Sequence, residues 1–263
     1  MSVLSHLESL SNNLNIAENE AGKIDTSINT LYTRLGYYFT SGMKERFRFG
    51  SSVRRTMLPR SADIYSDVDY MIVFDNSDKY KPQTFISRLK KFAEQYYSSS
   101  EIYQSHPTLV LDLNHIKFDL VPSYRESWGG LYIPAPYSSF AEWMFTDPFS
   151  LNSSLDAANA TNSYRIRPLI RLIKYWNAKS GYIYSSFELE QKIVGMSFHY
   201  CSNLKDCVYT TFENLYNSSW DLVTSKREKV ERAKTIIDAV KNYEKNEMPY
   251  TAETEIKKLL PGL

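Results

Sequence analysis

A chain of 263 residues, 43% hydrophobic and 23% charged, has the balance of a soluble globular protein and excludes wholesale disorder. Its formal net charge of +1 argues against a uniformly basic nucleic-acid binder, and no apolar stretch reaches the ~18–20 residues that span a bilayer. The first six residues lack the basic start of a signal peptide, and Cys201 and Cys207 alone are too few for a disulfide framework, so a cytoplasmic protein is expected.

Leu4, Leu7, Leu10, Leu14, Ile24, Ile28, Leu31 and Leu35 recur at helical intervals and predict one long helix over residues 2–40. A short strand over 46–49 leads into Gly50, after which Ser51 or Ser52 caps a brief helix ending at Arg55. Residues 59–63 read as a loop, 70–74 as a strand and 85–97 as an amphipathic helix. Residues 108–113 and 116–121 flank Asn114-His115 as the two strands of a hairpin. The stretch 122–162 mixes Pro, Gly, Ser, Asn and aromatics and predicts a long irregular connection. Helices are expected over 164–180, 186–202 and 225–246, with a short segment near 251–260. Strands confined between helical ends predict an α+β lobe over residues 1–150 and a helical lobe over 151–263.

The chemistry-bearing residues sit on the predicted strands. Asp67 and Asp69 are two apart at the head of an apolar run, so both carboxylates leave one face, about 6–7 Å apart along the chain. Two anions so close raise each other's pKa unless a cation lies between them, and hard oxygen ligands suit Mg²⁺. Asp119, inside a second apolar strand, is an expensive place for an ionised group and the natural third ligand. Three carboxylates holding two Mg²⁺ ions, or Mn²⁺, form the clamp that aligns an attacking hydroxyl with phosphorus. Asp112 is a weaker fourth candidate, explained equally by a solvent-facing strand end. Gly50 permits close approach of phosphate and Ser51 offers a hydroxyl and backbone donors.

Phe49-Gly50-Ser51-Ser52, Asp67-Val68-Asp69 and Phe118-Asp119-Leu120 together resemble the signature of the polymerase-β-like nucleotidyltransferases. The segments Arg167–Trp176 and Ser185–Glu190 narrow the resemblance to the bacterial cGAS-like nucleotidyltransferases (CD-NTases), which make cyclic di- or oligonucleotide signals in anti-phage defence. The likeness covers most of residues 45–195. It implies a mixed-sheet catalytic core with flanking helices, a helical lobe completing the nucleotide pocket, and a long N-terminal helix bridging both. It also implies metal binding by Asp67, Asp69 and Asp119, and nucleotide binding by Gly50, Ser51, Lys174, Ser186 and Phe187. The implied substrates are NTPs, ATP among them, with a cyclic product acting on a separate effector. Arg55-Thr56 departs from the family, many of whose members carry a glycine at the position of Arg55.

Arg167, Arg171 and Lys174 fall on one helical face, which alone reads most simply as a solvated stripe. His199, Cys201 and Cys207 supply three of the four ligands a structural zinc site takes, at a spacing no common zinc module uses. Lys226, Arg227, Lys229, Arg232 and Lys234 alternate with acids and read as an ion-paired exposed helix. Two rival functions share these features: a nucleotidyltransferase that modifies tRNA, protein or a small molecule, and a catalytically silent nucleotide-binding scaffold. Near-neutral charge disfavours a long nucleic-acid substrate.

Overall fold

The computed structural model describes residues 2–105, 107–136 and 141–263. The chain divides into two units: Ala17–Arg60 with Tyr65–Ser150, and Met1–Ile16 with Ser61–Ile64 and Leu151–Leu263.

The first unit holds a sheet and three helices. In chain order these are α2 (Glu18–Tyr38), β1 (Met43–Arg48), α3 (Ser51–Arg54), β2 (Asp67–Phe74) and α4 (Pro82–Tyr96). Then come β3 (Glu101–Ser105), β4 (Thr108–Leu113), β5 (Ile116–Arg125), β6 (Leu131–Pro134) and β7 (Trp143–Thr146). The strands run β1-β2-β5-β4-β3, with β6 and β7 branching from the far end of β5. β2 and β5 are parallel and the other pairs antiparallel. β2 is buried on both faces beyond its first residues, which is why its sequence runs apolar without alternation. On one face Phe74 stacks on Phe85 of α4 with ring centres 4.8 Å apart, and Phe39 bridges Phe74 and Phe92. On the other, Met71, Val73, Val121 and Leu131 form an apolar cluster with Phe47, Phe49 and Ile133 against it.

The second unit is helical: α1 (Val3–Asn13), α5 (Ser150–Thr161), α6 (Ile166–Lys179), α7 (Ser186–Val194), α8 (Leu204–Asn217), α9 (Thr224–Lys245) and α10 (Pro249–Ile256). α6 is its centre, with ten of 14 residues buried, and α1, α7 and α8 pack on it. Ser2, Ser185 and Asn203 cap α1, α7 and α8, each accepting a hydrogen bond from the backbone N–H three residues on.

Several expectations need correction. The single helix over 2–40 is two helices, because Asn15 turns its amide back onto the carbonyls of Ser11 and Asn12, and Ala17 is extended. Glu18 and Glu20 then favour a fresh start in the first turn of α2. α1 packs on α6, α8 and α10, so the lobe boundary drawn at residue 1 moves: this segment belongs to the helical unit. The connection over 122–162 contains the end of β5, the β6–β7 pair and α5; residues 137–140 of it lie outside the described residues. The helix expected over 186–202 stops at Val194, and α8 and β3 are additional.

Candidate active site

The parallel register of β2 and β5 sets Asp69 directly beside Asp119 and Asp67 beside Lys117. Neighbours in register point to the same side, and strands lie about 4.7–4.9 Å apart. Asp67, Asp69 and Asp119 therefore share one face of two adjacent strands, at the open end of the Met71–Val73–Val121 cluster. Phe49 N–H donates to the Asp69 carbonyl at 3.0 Å and carries the chain into Gly50 beside the acids. Gly50 adopts φ 70° and ψ −151°, and a side chain there would collide with the Asp69 carboxylate. Only glycine satisfies both demands.

The electrostatics are those of an incompletely compensated anionic site. Asp119 Oδ1 is buried with no hydrogen-bond partner among the described residues. Burial raises the Asp119 pKa above the usual carboxylate range, and the Lys117 charge and Thr108 hydroxyl pull it back only partly. Asp67 lies 3.8 Å from Lys117 Nζ, which also sits 5.9 Å from the centre of the Tyr65 ring. Among the described residues no three Asp, Glu, His or Cys side chains close into a ready cage. Backbone register, rather than side-chain convergence, brings the triad together. Three carboxylates on one face, one with an orphaned buried oxygen, nevertheless form a donor set that fits a hard divalent cation.

Two residues at this face escaped the sequence reading. Lys117 is two before Asp119, a spacing that signals a shared face, and Thr108 lies on neighbouring β4. Asp112, opposite Lys117, is half-buried and held by Arg60 at 3.3 Å, which accounts for it better than a free strand end. Arg55 has φ 60° and ψ 37°, a left-handed conformation that glycine adopts more readily than an L side chain.

In the helical unit the basic stripe of α6 is not solvated. Arg171 and Lys174 are 7% and 6% exposed. Lys174 Nζ donates to Glu190 Oε1 at 3.1 Å, and Glu190 on α7 is fully buried. Burial, aided by the nearby charge of Arg167, lowers the Arg171 pKa to about 10. Arg167 itself pairs with Asp156. Ser186 opens α7 and is exposed, as is Phe187, while Ser185 rather than Ser186 makes the capping bond. His199 is exposed with its ring edge on Tyr200. Cys201 Sγ lies 3.3 Å from Thr210 Oγ1, and burial beside Cys201 pushes the Cys207 thiol up to about 12.

Against known proteins, the Second Messenger Oligonucleotide or Dinucleotide Synthetase domain, SMODS, matches residues 1–159. The chain belongs to this family. The expected kinship with bacterial cGAS-like nucleotidyltransferases therefore holds. This SMODS chain is 28% identical over 136 residues to "Probable cyclic nucleotide synthase IK1_05630" of Bacillus cereus (strain VD146). That match takes in 48% of this chain and 41% of the relative, so the chain spans less than half of the curated protein it resembles. In fold it is similar to CdnC of E. coli MS115-1, solved with ATP: TM-score 0.74, 13% identity, covering 100% of this chain and 98% of that one. It is also similar to the CD-NTase CdnG of Bradyrhizobium diazoefficiens, solved with GTP: TM-score 0.73, 12% identity, covering 96% and 97%. The α+β class and polymerase-β-like core expected for the chain are those of these structures. Among the described residues no helix is long and apolar enough to cross a membrane.

Proposed function

We propose that this SMODS chain is a divalent-metal-dependent nucleotidyltransferase that joins NTPs, ATP among them, into a cyclic di- or oligonucleotide. The observation that carries the reading is the register of Asp69 with Asp119, with Asp67 on the same face and Gly50 packed against Asp69. Asp67, Asp69 and Asp119 hold two Mg²⁺ ions, for which Mn²⁺ can substitute. Bound there, the metal supplies charge neutralisation for the triphosphate and a lowered pKa for the attacking hydroxyl. Gly50 leaves the backbone open to phosphate and Ser51 offers its hydroxyl at the same bend. Lys117, held near Asp67, limits the repulsion among the three carboxylates before substrate arrives. Positioning and charge stabilisation, more than covalent chemistry by the protein, carry such a transfer.

Lys174, Ser186 and Phe187 belong to the same proposal as nucleotide-binding residues. Ser186 and Phe187 are exposed, whereas Lys174 must share its ammonium with Glu190 to contact a phosphate. The cyclic product, acting on a separate effector in anti-phage signalling, is supported by family membership alone.

The test is incubation of the purified chain with all four NTPs and Mg²⁺ or Mn²⁺. Pyrophosphate release and a phosphatase-resistant product with the mass of a cyclic oligonucleotide are expected, and both vanish with EDTA or Asp69→Asn. Label transferred instead to RNA or protein, or full activity in the variant, overturns the proposal.

A further inference from the structure

We propose that the helical unit carries a second binding pocket, for a small planar ligand bearing phosphate groups, of mononucleotide size. A cavity of about 490 Å³ opens where the end of α6, the middle of α9 and the segment after α10 meet. Such a volume lies within the ~300–1,000 Å³ range of small-molecule sites. Its polar lining is cationic: Lys179, Lys229, Arg232 and Lys258, with no acidic side chain in the wall. Its floor is apolar, with Trp176 and Ile236 beneath the cations.

The positive charge is concentrated at this pocket and neutralised elsewhere on α9. Arg227 pairs with Glu231, Lys234 with Asp238 at 2.7 Å, and Lys241 with Glu213 at 3.6 Å. Lys229, Arg232 and Ile236 follow at i, i+3 and i+7, so they share a different face of the helix. Two pocket cations have structural work: Lys229 Nζ donates to the Ser180 carbonyl at 2.6 Å, and Lys258 meets Glu255. Lys179 and Arg232 have no carboxylate within ion-pair distance among the described residues. Their mutual repulsion across a concave wall is relieved by a ligand that brings negative charge. The apolar floor suits a ring attached to that charge. Charge on the other face of α9 is paired, so the pocket cations do not continue into the basic track a long phosphate backbone needs, which favours a small ligand over nucleic acid.

Photolabelling with 8-azido-ADP in EDTA, followed by peptide mass spectrometry, tests this directly. Label is expected in peptides spanning residues 176–181, 229–236 or 258–261. Lys179→Glu combined with Arg232→Glu is expected to lower that label about tenfold or more by replacing two attractive charges with repulsive ones. Both side chains are exposed, and an unchanged circular dichroism spectrum and thermal midpoint show that the variant is folded. Label confined to residues 45–125 and to the Lys174, Ser186 and Phe187 side chains of the proposed catalytic site, or undiminished by the charge reversal, overturns the proposal. So does displacement of the label by single-stranded RNA at lower concentration than by ADP, which makes the surface a nucleic-acid site.

Discussion

Asp119 bears a charge that its surroundings only half accommodate. Its Oδ1 is buried without a hydrogen-bond partner among the described residues, and burial raises its pKa. The raised folded-state value fixes the sign of the pH dependence. Asp119 costs nothing below the unfolded carboxylate pKa, and its penalty grows as pH rises towards the folded value. Asp119→Asn is therefore expected to raise stability in EDTA by about 1 kcal/mol or more at neutral pH, and to leave it unchanged near pH 3–4. Denaturant unfolding at the two pH values measures the difference. Mg²⁺ should raise the thermal midpoint of the parent and not of the variant, because only a ligand that binds the folded state stabilises it. Arg55 offers the opposite case, a residue strained by its backbone. Arg55→Gly is expected to be more stable than Arg55→Ala by about 1 kcal/mol, since both remove the side chain's contacts and only glycine is free of the cost of the left-handed conformation. Lower stability in the glycine variant than in the alanine variant contradicts that account.

Among the elements, the α6–α7 pair carries the largest electrostatic stake. Lys174 and Glu190 are both buried, and Lys174 Nζ meets Glu190 Oε1 at 3.1 Å across the gap between two helices. Glu190→Ala leaves an ammonium in the core and is expected to destabilise by about 3–5 kcal/mol in urea unfolding. Lys174→Met with Glu190→Leu should recover most of that loss; equal damage from both changes contradicts the ion-pair account. The pair also marks what a single sequence can reveal. The shared face of Asp67, Asp69 and Asp119 was legible because a two-residue strand period and an apolar context each constrain direction. Lys174 was legible as a cation on a helix face, but its burial depends on a partner sixteen positions later on another helix. The break after α1 was hidden because apolar spacing continues across Asn15, whose capping amide acts through geometry rather than hydropathy. β6 and β7 were missed because four-residue strands show too few alternations to stand out from a loop.

At the scale of the molecule, each unit draws on segments that are distant in sequence. His6 Nε2 donates to the Leu260 carbonyl at 2.8 Å in a buried position, tying residues near opposite ends of the chain. Leu260 is fully buried, and Leu260→Ala is expected to cost about 2–5 kcal/mol by leaving a cavity beside that bond. A loss under 1 kcal/mol in denaturant unfolding contradicts it. The family model matches residues 1–159, and the fold likeness to CdnC of E. coli MS115-1 covers 100% of this chain, helical unit included.

The placement of α1 has a consequence for synthesis. Translation delivers Val3–Asn13 early, but the helices that cover it begin only at Ile166, Leu204 and Pro249. The sheet unit has all its strands by Thr146 and is free to form while that leading segment still waits. An isolated eleven-residue helix is marginal in water, so its leucines lack a core until those helices are made. The nascent chain thus carries an exposed apolar handle until α6, α8 and α10 have followed it, and α1 settles after segments made later than itself.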